Sequence, residues 1–223
     1  MSKQVAPRDR CWCMEIRELQ NTDHKRAIQF AIRGMHFDWY TDSRIVLQLY
    51  GRYFWYLKLC RATQILAVYD EQKLCGVLLA EMSGEKPAFR SWRKLLYIAC
   101  FNWLQRMIAG AGARTYDAAN TEMFHQYRKE YHPDGELIFL AADPDRKGMG
   151  IGTMLLNELE RRESGKTIYL FTDSGCAYTF YDHRGFIRTH QRDIMLELQS
   201  KRVPLSCYLY SKTCVDRTDD PTP

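Results

Sequence analysis

The run Lys147-Gly148-Met149-Gly150-Ile151-Gly152 gathers glycines where a short apolar segment stops and a helical pattern begins. A strand that ends, turns through glycines and opens a helix leaves backbone N–H groups converging on one spot. Those donors act together with the helix dipole and favour an anion there. Gly148, Gly150 and Gly152 remove side chains where a diphosphate must approach the backbone. The spacing of a P-loop, with Gly-Lys-Ser/Thr at its end, is absent. A dinucleotide fingerprint needs a third glycine where Thr153 stands, and it opens a fold rather than falling late in the chain. On its glycines alone, the loop is an anion site at a helix N-terminus.

The elements that must position this loop follow from periodicity. Residues 14–20 alternate apolar and polar and predict a first strand. Thr22 or Asp23 caps a helix from His24 to about Met35. A second helix follows Asp42-Ser43, with Ile45, Val46, Leu49, Tyr50, Tyr53, Phe54 and Leu57 on one stripe, expected to pack as core. Ile65–Tyr69 and Leu74–Glu81 form a hairpin across Asp70-Glu71-Gln72-Lys73. Residues 83–134 fit no small α/β pattern and are expected to hold two helices, Ser91 to Ile108 and about Asp117 to Tyr131, separated by Gly110-Ala-Gly-Ala. Glu136–Ala142 is a short apolar strand. After the loop come a helix to about Glu163, a buried-type strand at Thr167–Thr172, and a helix from Ala177 to Arg184 closed by Gly185. Strand runs at about 187–198 and 205–210 complete the chain, and the tail from Asp216 is polar. Alternating strands and helices of this order predict a mixed α/β sheet with helices on both faces.

The loop and the helix after it resemble a known family. Residues 136–186 are similar to the cofactor half of the GNAT N-acetyltransferase superfamily. Its loop reads Arg/Gln-x-x-Gly-x-Gly/Ala, and Lys147-x-x-Gly150-x-Gly152 occupies that pattern with lysine in first place. Its later motif, Asn-x-x-Ala-x-x-x-Tyr-x-x-x-Gly-Phe, is matched by Ser174-x-x-Ala177-x-x-x-Tyr181-x-x-x-Gly185-Phe186, with serine for asparagine. The resemblance implies an α/β, GNAT-type, mostly antiparallel sheet with splayed central strands, built as one domain over 1–223. The segment at about 83–134 then becomes a helical insertion between the third and fourth strands.

It also implies the chemistry. The cosubstrate is acetyl-CoA, and the acceptor is a primary amine of a small molecule or peptide that attacks the thioester directly. The pantetheine arm pairs with backbone at Leu140, Ala141 and Ala142, beside a bulge expected near Ala142-Asp143. Arg146, Lys147, Gly148, Met149, Gly150, Ile151 and Gly152 hold the diphosphate, with Ser174 and Tyr178 among the cofactor contacts. Tyr181 stands at the family's general-acid position; its phenol is protonated at neutral pH and donates to a departing thiolate. Tyr178 is the fallback acid. Glu136, eleven residues before Lys147, stands at the register of the family's glutamate base, with apolar neighbours expected to raise its pKa. Glu81 is a second base candidate. The aromatic-rich insertion, with Trp92, Phe101, Trp103 and Tyr116, is expected to shape the acceptor site. The alternative is a non-catalytic acyl-CoA-binding module or sensor.

Composition sets outer bounds. The chain has 223 residues, 46% of them hydrophobic and 26% charged, an ordinary soluble balance. A net charge of +5, from 32 basic and 27 acidic residues, is too mild for a nucleic-acid stripe. No apolar signal follows the N-terminus, and the stretch Leu95–Ile108 falls short of the ~20 apolar residues that span a bilayer. The eight cysteines are scattered and read as reduced thiols packed as small hydrophobes. Cys11-Trp-Cys13 has the wrong spacing for a zinc knuckle, and the histidines show no ligand or triad spacing, with His183 expected exposed. A cytoplasmic monomer or homodimer with no metal, nucleic-acid or membrane partner is expected.

Overall fold

A computed structural model describes residues 14–39, 41–108, 112–197 and 202–216. Cys11, Cys13, Gly110, Ala111, Leu198 and the tail beyond Asp216 lie outside them. In chain order the elements are β1 (Met14–Arg17), α1 (His24–Gly34), α2 (Arg44–Arg61), β2 (Gln64–Asp70), β3 (Lys73–Met82), α3 (Trp92–Ile108), α4 (Gly112–Glu130) and β4 (Gly135–Ala142). They continue with α5 (Ile151–Arg162), β5 (Thr167–Asp173), α6 (Thr179–Asp182), β6 (Ile187–Glu197) and β7 (Arg202–Thr213).

The strands form one seven-stranded sheet in the order β1-β2-β3-β4-β5-β7-β6. Every neighbouring pair is antiparallel except β4 and β5, which run parallel and touch only at Gly135–Ile168 and Glu136–Tyr169. Beyond those two rungs β4 follows β3, with Leu140, Ala141 and Ala142 opposite Leu78, Val77 and Gly76. Meanwhile β5 follows β7 as far as Asp173–Cys207. The sheet is therefore mixed, mostly antiparallel and splayed at its centre, as expected. The backbone groups of β4 and β5 that face the gap have no ladder partner.

The expected bulge near Ala142-Asp143 lies elsewhere. Leu79 faces Phe139 and Ala80 faces Leu137, so Ile138 is the extra residue. Its effect is legible in the packing. Leu137 and Leu140 lie with the α5 face of the sheet, whereas Ile138 and Phe139, although consecutive, both pack towards α1 and α2. A bulge is what lets two neighbours share a face, because unbroken alternation would separate them.

Helices cover both faces. On one, Ile151, Leu155, Leu156 and Leu159 of α5 pack over Leu66, Leu78, Leu137 and Leu170. On the other, α1 and α2 cover β2, β3 and β4. Ala119, Met123 and Tyr127 of α4 extend that layer over Tyr169, Phe171, Cys207 and Leu209 of β5 and β7.

Several boundaries and faces differ from expectation. The first strand stops at Arg17, α4 begins at Gly112, and α6 is only Thr179–Asp182, flanked by turns. In α2 the buried positions are Gly51, Trp55 and Leu59, whereas Ile45, Val46 and Leu49 of the expected stripe are exposed. The cause is helix approach: a Cβ at Gly51 would collide with Ile32 of α1, so the closest contact turns that face inward. Tyr50, Tyr53 and Phe54 pack against neighbouring rings rather than lining a cleft. Asp23 stands before α1, but its carboxylate accepts from Tyr69 Oη at 2.7 Å instead of capping the helix. Among the described cysteines, Cys75, Cys207 and Cys214 are buried and Cys100 is exposed, all as free thiols.

One core contact yields a pH prediction. Trp55 Nε1 donates to His24 Nδ1 at 3.1 Å, which requires an unprotonated ring nitrogen. Burial, with the nearby Lys94 ammonium, lowers the His24 pKa from 6.5 to about 4. The unfolded chain then binds more protons between about pH 4 and 6.5, so stability contributed by neutral His24 is full above pH 6.5 and is lost as pH falls towards 4. Because the ring is partly solvated, the loss is expected to be about 1–2 kcal/mol, less than the full shift would give. Urea midpoints measured against pH check this, and Trp55→Phe should flatten the slope.

Candidate functional site

The glycine loop is pinned before it turns. Asp143, buried at the end of β4, takes an ion pair from Arg26 of α1 and donates its N–H to Cys75 O at 2.7 Å. Three residues on, Arg146 Nη1 bonds Asp70 Oδ2 at 2.6 Å, tying the loop to the end of β2. Gly148 and Gly150 then adopt φ of 85° and 74°, left-handed values that favour glycine. α5 starts at Ile151, so the N–H groups of its first turn have no partner inside the helix. No heavy atom lies within 4 Å of where a Cβ on Gly148 or Gly150 would stand, leaving the approach open.

This loop floors one side of a cleft of about 530 Å³ that fills the splay between β4 and β5. Leu140, Ala141, Ala142, Arg146, Lys147, Gly148, Met149, Gly150, Ile151 and Gly152 all line it, and so does Tyr181. Ser174 and Tyr178 do not. The Ser174 hydroxyl accepts from Ser206 N–H at 3.1 Å, fastening the end of β5 to β7. The Tyr178 ring packs on Tyr208 at 5.1 Å, with Arg188 over it, rather than projecting beside Tyr181. The short α6 explains the divergence: Tyr178 precedes its first turn, and the helix is too brief to stack the two phenols on one face.

Tyr181 is half-buried between Phe180 and Phe186, at centroid distances of 5.3 and 5.6 Å. Burial, reinforced by the nearby Cys176 thiol, pushes its phenol well above the ordinary tyrosine value. It therefore carries its proton throughout the neutral range.

Glu136 does not line this cleft. It faces a separate polar recess of about 300 Å³, below the point where β4 and β5 touch. Its Oε2 accepts from Arg61 Nη2 at 3.0 Å and from Tyr169 Oη at 3.3 Å, so its neighbours are a guanidinium and a phenol instead of the expected apolar groups. Glu81 shares the same Arg61. Of the aromatic residues in 83–134, only Tyr116 reaches the cleft. Trp92 and Trp103 are exposed, and Phe101 stacks on Tyr53 of α2 at 4.5 Å. His183 is exposed.

Other lining residues carry no motif letter. Arg184 donates to Thr153 Oγ1 at 2.5 Å, beside the α5 N-terminus, and lies over Phe180. Its Nε is buried with no hydrogen-bond partner among the described residues, a donor suited to an anion in the cleft. Phe180 sits 3.3 Å from where a Cβ on Gly152 would be, so the second motif packs directly on the first. Asp173, the last residue of β5, and Cys176 just after it enter the cleft, and Gly34 and Met35 enter from the end of α1. Converging N–H groups, two left-handed glycines and three cationic side chains, Arg146, Lys147 and Arg184, suit a diphosphate. The unpaired strand edges suit an extended chain bearing amides.

The sequence model of the "Acetyltransferase (GNAT) family" matches residues 31–186. Among solved structures, one described as "histone acetyltransferase HPA2 and related acetyltransferase" from Corynebacterium glutamicum superposes with a TM-score of 0.52 at 18% identity, covering 94% of this chain and 99% of that one. The yncA acetyltransferase of Salmonella typhimurium, solved with its cofactor acetyl-CoA, gives 0.50 at 14% identity, covering 94% and 99%. No curated protein sequence matches this chain. Among the described residues, no group of His, Cys, Asp or Glu is placed to hold a metal ion, and no helix is long and apolar enough to cross a membrane.

Proposed function

The chain belongs to the acetyltransferase (GNAT) family, and from that premise we propose that it moves an acetyl group from acetyl-CoA to a primary amine of a small molecule or peptide by direct attack. The observation that carries the proposal is the splay of β4 from β5 above a glycine loop that opens α5. The loop from Arg146 to Gly152 takes the diphosphate. Leu140, Ala141 and Ala142 offer their unpaired backbone edge to the pantetheine amides, and an N–H there polarises the thioester carbonyl. Bound acetyl-CoA supplies the activated acyl group.

The rest is done by this chain's own residues and by water. The cleft holds the amine within reach of the carbonyl, which makes attack effectively unimolecular. As the carbon–nitrogen bond forms and the carbon–sulfur bond breaks, Tyr181 gives its proton to the departing sulfur. The ammonium form of the acceptor sheds two protons to water in becoming an amide, and Tyr181 regains one, so one proton is released per turnover.

Glu136 is assigned a structural place, because its Oε2 is engaged by Arg61 and Tyr169 outside the cleft. Glu136→Gln is expected to change kcat less than about threefold at fixed pH, well below the 10²–10⁴ that a general base supplies. A loss of 10²-fold in steady-state turnover would restore it as the base. The whole proposal is tested by thiol release from acetyl-CoA on adding amines. An acyl-CoA-binding module or sensor would bind the thioester and release none.

A further inference from the structure

The acetyltransferase reading leaves the acceptor undefined, and the cleft carries a feature that narrows it. Its cationic residues, Arg146, Lys147 and Arg184, all stand at the loop and the α5 N-terminus. Among the described residues its one acidic lining residue is Asp173, the last residue of β5. Along β5, Ile168 and Leu170 face the α5 layer, while Tyr169 and Phe171 face α4. Alternation places Asp173 on the α4 face as well, and its Oδ2 accepts from Tyr116 Oη of α4 at 3.1 Å. The carboxylate and the phosphate loop therefore lie on opposite faces of the sheet, joined by the cleft that passes between β4 and β5.

Asp173 is held firmly, yet among the described residues nothing neutralises it. Its Oδ1 accepts from Gly175 N–H at 2.9 Å, completing a two-point grip with Tyr116. No ion pair in the described residues involves it, whereas Asp70, Asp143, Glu136, Glu160 and Glu163, on or near the same sheet, each have a cation. Among the described residues, the titratable groups facing Asp173 are Tyr116 of α4, Cys176 of the following turn and Cys207 of β7. Burial first, then Asp173 itself, raises all three, the two thiols to about 12, so none supplies positive charge or titrates near neutrality. A partly buried carboxylate that is oriented and, among the described residues, lacks a cation is an unmet demand for one.

We infer that Asp173 anchors the acceptor's amine, and that the acceptor is a monoamine with an apolar, ring-bearing body. A single carboxylate satisfies one ammonium group; a polyamine or aminoglycoside would bring further cations into a cleft whose other charged lining, among the described residues, is Arg146, Lys147 and Arg184. Tyr116, bonded to Asp173, and Phe171, on the same face of β5, line the cleft with Met35 and match an aromatic or aliphatic body. The amine arrives as an ammonium paired with Asp173, loses a proton to water, and attacks the thioester carbonyl from the face opposite the loop. Asp173 is unchanged at the end of the reaction.

The test uses the full chain, acetyl-CoA and three probes: 2-phenylethylamine, spermidine and kanamycin. The wild type is expected to favour 2-phenylethylamine in kcat/KM by at least about tenfold. Asp173→Asn keeps the shape and an acceptor for Gly175. It should raise the KM for 2-phenylethylamine roughly tenfold or more, the worth of a hydrogen bond to a charged group, and leave the acetyl-CoA KM unchanged. Because a carboxylate favours the ammonium form, its removal should also move the acid limb of the kcat profile to lower pH; a merely structural role would not do so. An unchanged amine KM in the variant, or a wild-type preference for spermidine or kanamycin, overturns the inference while leaving the acetyltransferase reading intact. No thiol release with any amine overturns both. The wild-type preference needs no variant and remains decisive if Asp173→Asn fails to fold.

Discussion

Tyr181→Phe is expected to lower kcat by at least about 10²-fold, within the range a positioned general acid contributes, while acetyl-CoA affinity stays within about twofold. The substitution removes one oxygen and keeps the ring contacts with Phe180, Phe186 and Tyr210. Packing is thus retained and only the proton source is lost. The pH dependence carries a second signature. Burial raises the Tyr181 pKa, so the acid form persists and wild-type kcat should not fall with rising pH below the ordinary tyrosine value of about 10. Steady-state thiol release over a pH series measures both effects. Full activity in the phenylalanine variant would remove Tyr181 from the chemistry.

The second large effect lies in the loop. Gly150→Val is expected to weaken acetyl-CoA binding by roughly tenfold or more. Gly150 has φ 74° and immediately precedes α5, so an L-residue there is strained by about 1–3 kcal/mol, and a β-branched one sits towards the upper end. Relief comes by swinging the peptide plane away, which misaims the first N–H groups of α5. Gly165→Val is the control. Gly165 has φ 83° in the turn between α5 and β5, away from the cleft, and should lose stability without losing cofactor affinity. Calorimetric titration with acetyl-CoA, run beside thermal melts of both variants, separates the two losses. Equal affinities in both would show that loop geometry does not hold the diphosphate.

What was legible in the sequence was local in the chain. The glycine loop and the Ser174–Phe186 spacing each fit within a few turns of backbone, and both halves meet where Phe180 rests on Gly152. The element order came from periodicity, equally local, and the splayed sheet from the resemblance those two motifs carry. Features that depend on distant segments were hidden. Tyr116 meets Asp173 across 57 positions, and Arg61 meets Glu136 across 75. Neither pairing has a periodic signature. Arg184 lay inside the later motif, yet its use depends on Thr153 being brought alongside. The bulge at Ile138 fell within Leu137-Ile138-Phe139-Leu140, an all-apolar run whose alternation cannot be seen to break. In α2, apolar residues ring more than one face, and the face that packs was chosen by the absent side chain of Gly51. Ser174 and Tyr178 show the converse: Ser174 matches the motif and Tyr178 lies one turn before Tyr181, but Ser174 bonds β7 and the short α6 leaves Tyr178 against Tyr208.

Acetyl transfer to an amine from a cofactor seated between β4 and β5 is tested most directly by one assay. The full chain is incubated with acetyl-CoA and 2-phenylethylamine, and free thiol and acetylated amine are followed together by absorbance and mass spectrometry. The account predicts one thiol released for each acetylated amine formed, with turnover largely abolished in Tyr181→Phe. Thiol release that does not depend on amine, or tight acetyl-CoA binding with no acetylated product from any primary amine tried, would contradict it.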